Sequence, residues 1–138
     1  PVQVIAARLA IEPGLARLAA HSGTRADFIA MRTCNERCRN APDWRSYEAQ
    51  DNNLHAAIAK ATQNKLLVYL FETLNVVRRS TVWGQSRSTI GPAPDYCSFD
   101  EHEAICAAIE ARDADLAECR MRSHLISVRD RVLPTLSR

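Results

Sequence analysis

Asp51 and His55 stand four residues apart, and two more histidines, His102 and His124, lie much further along the chain. On a helix that four-residue spacing puts both side chains on one face, about 5–6 Å apart at Cβ, so a single cation can bridge them. His102 shares a helical face with Ile105 and Ile109, and His124 shares one with Ala117, Met121 and Val128. Three separate helices would then each aim a ligand inward. Neutral imidazoles with one carboxylate suit a divalent transition metal, with zinc the first choice and nickel, manganese, cobalt or iron as alternatives. A single aspartate leaves such a centre positively charged, which attracts a small organic acid to its open positions. The competing reading makes these histidines hydrogen-bonded core residues, and spacing alone leaves both readings open. His21, the remaining histidine, falls at a helix end, where a cationic side chain suits the dipole, and stays outside the set.

The elements that must position these residues are helical throughout. Val4 to Ala20 reads as helix interrupted at Pro13-Gly14, since proline is tolerated in a first turn. Thr24 and Asp27 form an N-terminal cap pattern before a helix running to about Cys38. The stretch from Asn40 to Asp43 is a break, and Trp44 to Thr62 returns to helical spacing. Leu66 to Val77 is apolar around most of its circumference, which places it centrally or at a subunit contact. Ser80 to Tyr96 holds Gly84, Gly91, Pro92 and Pro94 and reads as a long connection with a helical turn near Val82-Trp83. Ser98 with Glu101 makes a capping-box pattern. Asp113 caps a last helix through Val128, and Pro134 ends it. The sum is an all-α antiparallel bundle of about six or seven helices.

Composition sets the outer bounds. The 138 residues fit one domain, 46% are apolar, only 6% are aromatic, and glycine is rare, a balance that favours helices over sheets. A net charge of +2 does not argue for nucleic-acid binding by this chain. No apolar run is long enough for a membrane span and no signal-peptide pattern opens the chain. The five cysteines, Cys34, Cys38, Cys97, Cys106 and Cys119, are odd in number and lack CxxC spacing. That usage suits reduced thiols and a cytoplasmic protein. Cys34 and Cys38, one turn apart, are read either as half-buried thiols or as soft-metal ligands. The first residue is Pro1 rather than methionine, and the chain is expected to be a fragment or a trimmed form of a longer protein.

The ordered motifs resemble one known family. Asp51, Leu54, His55, Ile58, Ala61 and Asn64 fit D-x-x-[apolar]-H-x-x-[apolar]-x-x-A-x-x-N. Glu101, His102 and Ile105 fit E-H-x-x-[apolar], and Met121, His124 and Leu125 fit M-x-x-H-[apolar]. Near the start, Arg8, Ile11, Glu12 and Pro13 fit R-x-x-[apolar]-E-P, and Leu18, Ala19 and Ala20 fit L-A-A. Together these are similar to the FadR C-terminal domain (FCD) of GntR-type transcription regulators, in its metal-containing branch. Leu54 stands where phenylalanine is common in that family.

The resemblance implies a ligand-sensing bundle rather than an enzyme, with the metal held by Asp51, His55, His102 and His124. It implies a small carboxylate effector gripped by an arginine, since the planar fork of arginine takes a carboxylate through two parallel hydrogen bonds. Arg8 is the first candidate and Arg78 the second, with Asn64 either touching the pocket or capping a helix. DNA binding is expected only through a winged helix-turn-helix domain preceding this chain, and a homodimer is expected through the Leu66–Val77 helix. The alternatives are a hydrolase-like helix-bundle metalloenzyme using the same Asp/His site, with Glu12, Glu48, Glu101 or Glu103 as base, and a metal-free interaction module.

Overall fold

The computed structural model describes residues 2–82 and 87–133. Among them are six helices: α1 (Val2–Ser22), α2 (Arg25–Arg39), α3 (Trp44–Ala61), α4 (Lys65–Val82), α5 (Cys97–Glu110) and α6 (Ala114–Val132). The all-α bundle expected from the sequence is the fold. α1 runs through its middle, packed chiefly on α6 and also touching α3, α4 and α5, while α2 packs on α3 and α5. Small side chains permit that arrangement. Ala16, Ala19 and Ala20 of α1 and Ala117 of α6 are fully buried, and none of them holds the helices apart. No helix among the described residues is long and apolar enough to cross a membrane.

Local signals explain most of the boundaries. Thr24 and Asp27 form a reciprocal capping box at the start of α2. The Asp43 side chain accepts from the Ser46 N–H at 2.7 Å to open α3, and Asp113 accepts from the Leu116 N–H at 3.1 Å to open α6. Asn64 caps α4 by accepting from the N–H groups of Leu66 and Leu67 at 3.1 and 3.2 Å.

Two expectations differ from the structure. α1 is not interrupted at Pro13-Gly14 but continues through both. An interior proline removes one helical hydrogen bond and costs roughly 3 kcal/mol. Burial on both sides of the proline, at Ile5 and Arg8 before it and at Leu15, Ala16, Ala19 and Ala20 after it, outweighs that local penalty. Secondly, Ser98 and Glu101 do not cap α5. Tyr96 occupies the N-cap position without a side-chain bond, and both expected cap residues are engaged elsewhere: Ser98 accepts from Arg131, and Glu101 accepts from His124. Of the two places expected for α4, the centre of the bundle or a subunit contact, the centre is not where it lies. Phe71 reaches the core, but Leu66, Tyr69, Leu70, Val76 and Val77 are exposed along its outer side. The turn expected near Val82-Trp83 lies outside the described residues at Trp83, as does the stop expected at Pro134; α4 itself reaches Val82.

Removing the α2 cap by Thr24→Ala is expected to lower stability by about 1 kcal/mol, read as a shift in the denaturant midpoint at constant slope. An unshifted midpoint would show that the box contributes nothing.

Candidate metal and effector site

α3 contributes Asp51 and His55, α5 contributes His102, and α6 contributes His124. All four side chains are buried, and one ligand atom from each lies within 4.8 Å of the other three. Asp51 Oδ1 is 3.1 Å from His102 Nε2 and 3.4 Å from His55 Nε2. The structure therefore brings together the residues that spacing and resemblance had singled out.

The outer nitrogen of each imidazole has its own acceptor. Glu12 of α1 takes His55 Nδ1, and Asn35 Oδ1 of α2 lies 3.3 Å from His102 Nδ1. Glu101 Oε1 lies 2.7 Å from His124 Nδ1. Asn35 is oriented by its own Nδ2, which donates to the Phe99 carbonyl at 3.3 Å. Oxygen acceptors place the proton on Nδ1 and leave Nε2 as a lone pair. The Nε2 atoms of His55 and His102 are buried without a hydrogen-bond partner. Orphaned imidazole nitrogens beside a carboxylate oxygen are costly in an apolar interior. The separations match ligands sharing one ion at about 2.0–2.2 Å, with outer acceptors in the usual supporting role. The donor set fits a divalent transition metal.

Charges around the cluster are tightly balanced. Burial pushes Glu12 up, but Arg8 and His55 outweigh it and hold its carboxyl well below the usual range. Burial likewise opposes ionised Asp51, yet Arg78 and the imidazoles keep its pKa low. Burial lowers His102 despite Asp51, and lowers His124 further with the help of the two neighbouring imidazoles. His55 is raised, because Glu12 and Asp51 overcome its burial.

A cavity of about 70 Å³ adjoins the cluster, bounded by Asp51 and His124 and by Arg8, Arg78, Arg87 and Arg131. Arg8 donates to Glu12 at 2.5 Å, while its Nη2 is buried with no hydrogen-bond partner. Arg78 donates to Asp51 Oδ2 at 2.6 Å and also to Asn52. Both arginines singled out from the sequence thus border the cavity. Asn64 does not; its side chain is the α4 cap.

Glu12, Asn35 and Glu101 were not assigned their role as imidazole acceptors from the sequence. Glu12 and Glu101 carried a signal, since they sit inside the R-x-x-[apolar]-E-P and E-H motifs; Asn35 carried none. Of the other acidic residues weighed as bases, Glu48 pairs with Arg87 at 2.6 Å, and Glu103 pairs with Arg32 on the surface. Cys38 packs with Tyr47 and Phe99, and burial raises the thiol pKa of Cys34 and Cys38, so this pair stays apart from the cluster.

The helix bundle thus buries an Asp/His cluster beside an arginine-lined cavity. Residues 3–127 match the FCD domain family, and the chain belongs to it. It is 32% identical over 140 residues to the Uxu operon transcriptional regulator of Escherichia coli K12, covering 96% of this chain and 54% of that protein. It is 31% identical over 137 residues to the HTH-type transcriptional regulator LutR of Bacillus subtilis, covering 93% of this chain and 60% of that protein. The chain spans about half the length of the curated relatives it matches. The solved structure of E. coli McbR/YncC shares the fold, with a TM-score of 0.81 at 16% identity over 96% of this chain and 67% of that one. Streptococcus agalactiae GntR also shares it, with a TM-score of 0.67 at 20% identity over 93% of this chain and 57% of that one. The relatives are transcriptional regulators rather than enzymes, and the hydrolase alternative falls with that membership.

The pKa directions set the pH response of the metal-free chain. His102 and His124 are lowered by folding, so the unfolded chain protonates first and stability falls below about pH 6.5. The lowered Glu12 and Asp51 add a second loss below about pH 4. His55, being raised, has the opposite sign, but its contribution is already complete below about pH 6.5. The melting temperature is therefore expected to drop from pH 6.5 to pH 5; a flat or rising value over that interval contradicts the assignment.

Proposed function

We propose that this chain is the effector-sensing domain of a GntR-type regulator, holding a divalent transition metal, zinc foremost, on Asp51, His55, His102 and His124. The observation that carries this reading is the pair of orphaned Nε2 atoms facing Asp51 Oδ1, with every Nδ1 held from outside. The ion would supply positive charge and open coordination positions for a small carboxylate. Arg8 is the residue to grip that carboxylate, because its buried Nη2 donor is unused. Arg78 orients Asp51 and borders the same cavity. Glu12, Asn35 and Glu101 hold the imidazoles in the tautomer that keeps Nε2 available.

The intact protein, in this reading, binds DNA through a winged helix-turn-helix domain preceding the chain, works in the cytoplasm, and pairs as a homodimer through the exposed apolar side of α4. Effector binding shifts the paired DNA-binding domains only if the two arrangements differ in affinity for it.

The purified domain is expected to carry about one divalent ion per chain, lost in Asp51→Ala and in His102→Ala. Unchanged metal content in both variants, measured by elemental analysis, would overturn the ligand assignment. Glu101→Gln should leave the fold intact and weaken metal affinity by about 10–100-fold, measured by competition with a chelator. An affinity equal to that of the unaltered domain removes Glu101 from its supporting role.

A further inference from the structure

We infer that the effector carries two anionic groups, one gripped beside the Asp/His cluster and one by a second pair of arginines. The inference rests on the sensor reading above and deepens it. The arginines bordering the cavity fall into two kinds. Arg8 and Arg78 are buried, with side chains 7% and 6% exposed, and lie against Glu12 and Asp51. Arg87 and Arg131 are each 30% exposed and come from elsewhere in the fold, the segment after α4 and the end of α6.

The outer pair is fixed in place rather than waving in solvent. The Arg87 guanidinium lies over the Trp44 ring at 4.1 Å and donates to Glu48 at 2.6 Å. The Arg131 guanidinium lies over Tyr96 at 5.2 Å and donates to Ser98 Oγ at 3.0 Å, to Ser127 Oγ at 3.3 Å and to Cys97 Sγ. A guanidinium carries five N–H donors in one plane, more than these partners take up, and that planar fork matches carboxylate and phosphate geometry.

Charge matching points the same way. Among the described residues, each arginine of the cavity has a carboxylate at hand: Glu12 for Arg8, Asp51 for Arg78, Glu48 for Arg87, and Glu101 at 4.0 Å for Arg131. With neutral imidazoles this wall has no net charge. A divalent ion on the cluster then leaves two positive charges beside buried side chains, where uncompensated charge is costly. A dianion cancels them; a monocarboxylate leaves one behind.

The test uses pairs of acids that share a head and differ in the tail. Titration calorimetry on the metal-loaded chain compares lactate with malate, and glycerate with 3-phosphoglycerate, so that carboxylate and phosphate tails are distinguished. At least one of the two-headed acids, malate or 3-phosphoglycerate, is expected to bind about tenfold or more tightly than its single-headed partner. Arg87→Gln and Arg131→Gln are expected to remove most of that preference while lactate affinity stays within about twofold. Melting temperature and metal content, measured on the same samples, separate lost binding from lost fold. Equal affinity for both members of both pairs overturns the inference and leaves the sensor reading standing. So does an equal loss of lactate and malate binding in the variants when fold and metal are intact. If none of the four acids binds metal-loaded protein, the carboxylate-sensor reading itself fails and takes the inference with it.

Discussion

Three buried imidazoles packed together each need an acceptor for the outer proton, and the bundle is arranged around that need. The ring centroids are 4.7 to 5.7 Å apart. No single helix can supply acceptors on every side of such a group. Glu12 comes from α1, Asn35 from α2 and Glu101 from α5, while Arg78 of α4 steadies the carboxylate on α3. Together with His124 on α6, the cluster draws on all six helices. Its geometry depends on the whole tertiary structure, and few of its parts would survive the loss of any one helix.

That dependence explains why α1 stays continuous at Pro13. Arg8 and Glu12 are one helical turn apart and hydrogen-bonded to each other. A break immediately after Glu12 would free it to leave His55, stranding a buried guanidinium and a buried imidazole. A proline costs a few kcal/mol locally, whereas an unpaired buried charge costs about as much or more. Packing and ion pairing decide in favour of the helix.

The fold class and the four cluster residues were legible in the sequence because periodicity assigns residues to helix faces, and ordered motifs tie distant faces together. The supporting residues were less legible for identifiable reasons. Ser98 and Glu101 have the spacing of a capping box, but a side chain can satisfy a nearby backbone N–H or a distant partner, and local pattern does not rank the two. Here Glu101 serves His124, and Ser98 serves Arg131. Asn35 is a single polar residue on a buried helix face, and nothing in its neighbours says which imidazole it will meet. The composition of α4 showed that it was apolar all round without saying which side the bundle would leave exposed. Similarity in fold persists to E. coli McbR/YncC at 16% identity, which shows how loosely the bundle constrains its residues.

Asp51 divides its two oxygens between separate neighbours. Oδ1 faces the imidazoles, and Oδ2 accepts from Arg78 on the helix whose far side carries the exposed Tyr69, Leu70, Val76 and Val77. The route from the buried centre to that greasy outer strip is one carboxylate and one guanidinium long. Rotation of this single side chain would disturb both ends at once, which makes Asp51 a mechanical joint as well as a charge.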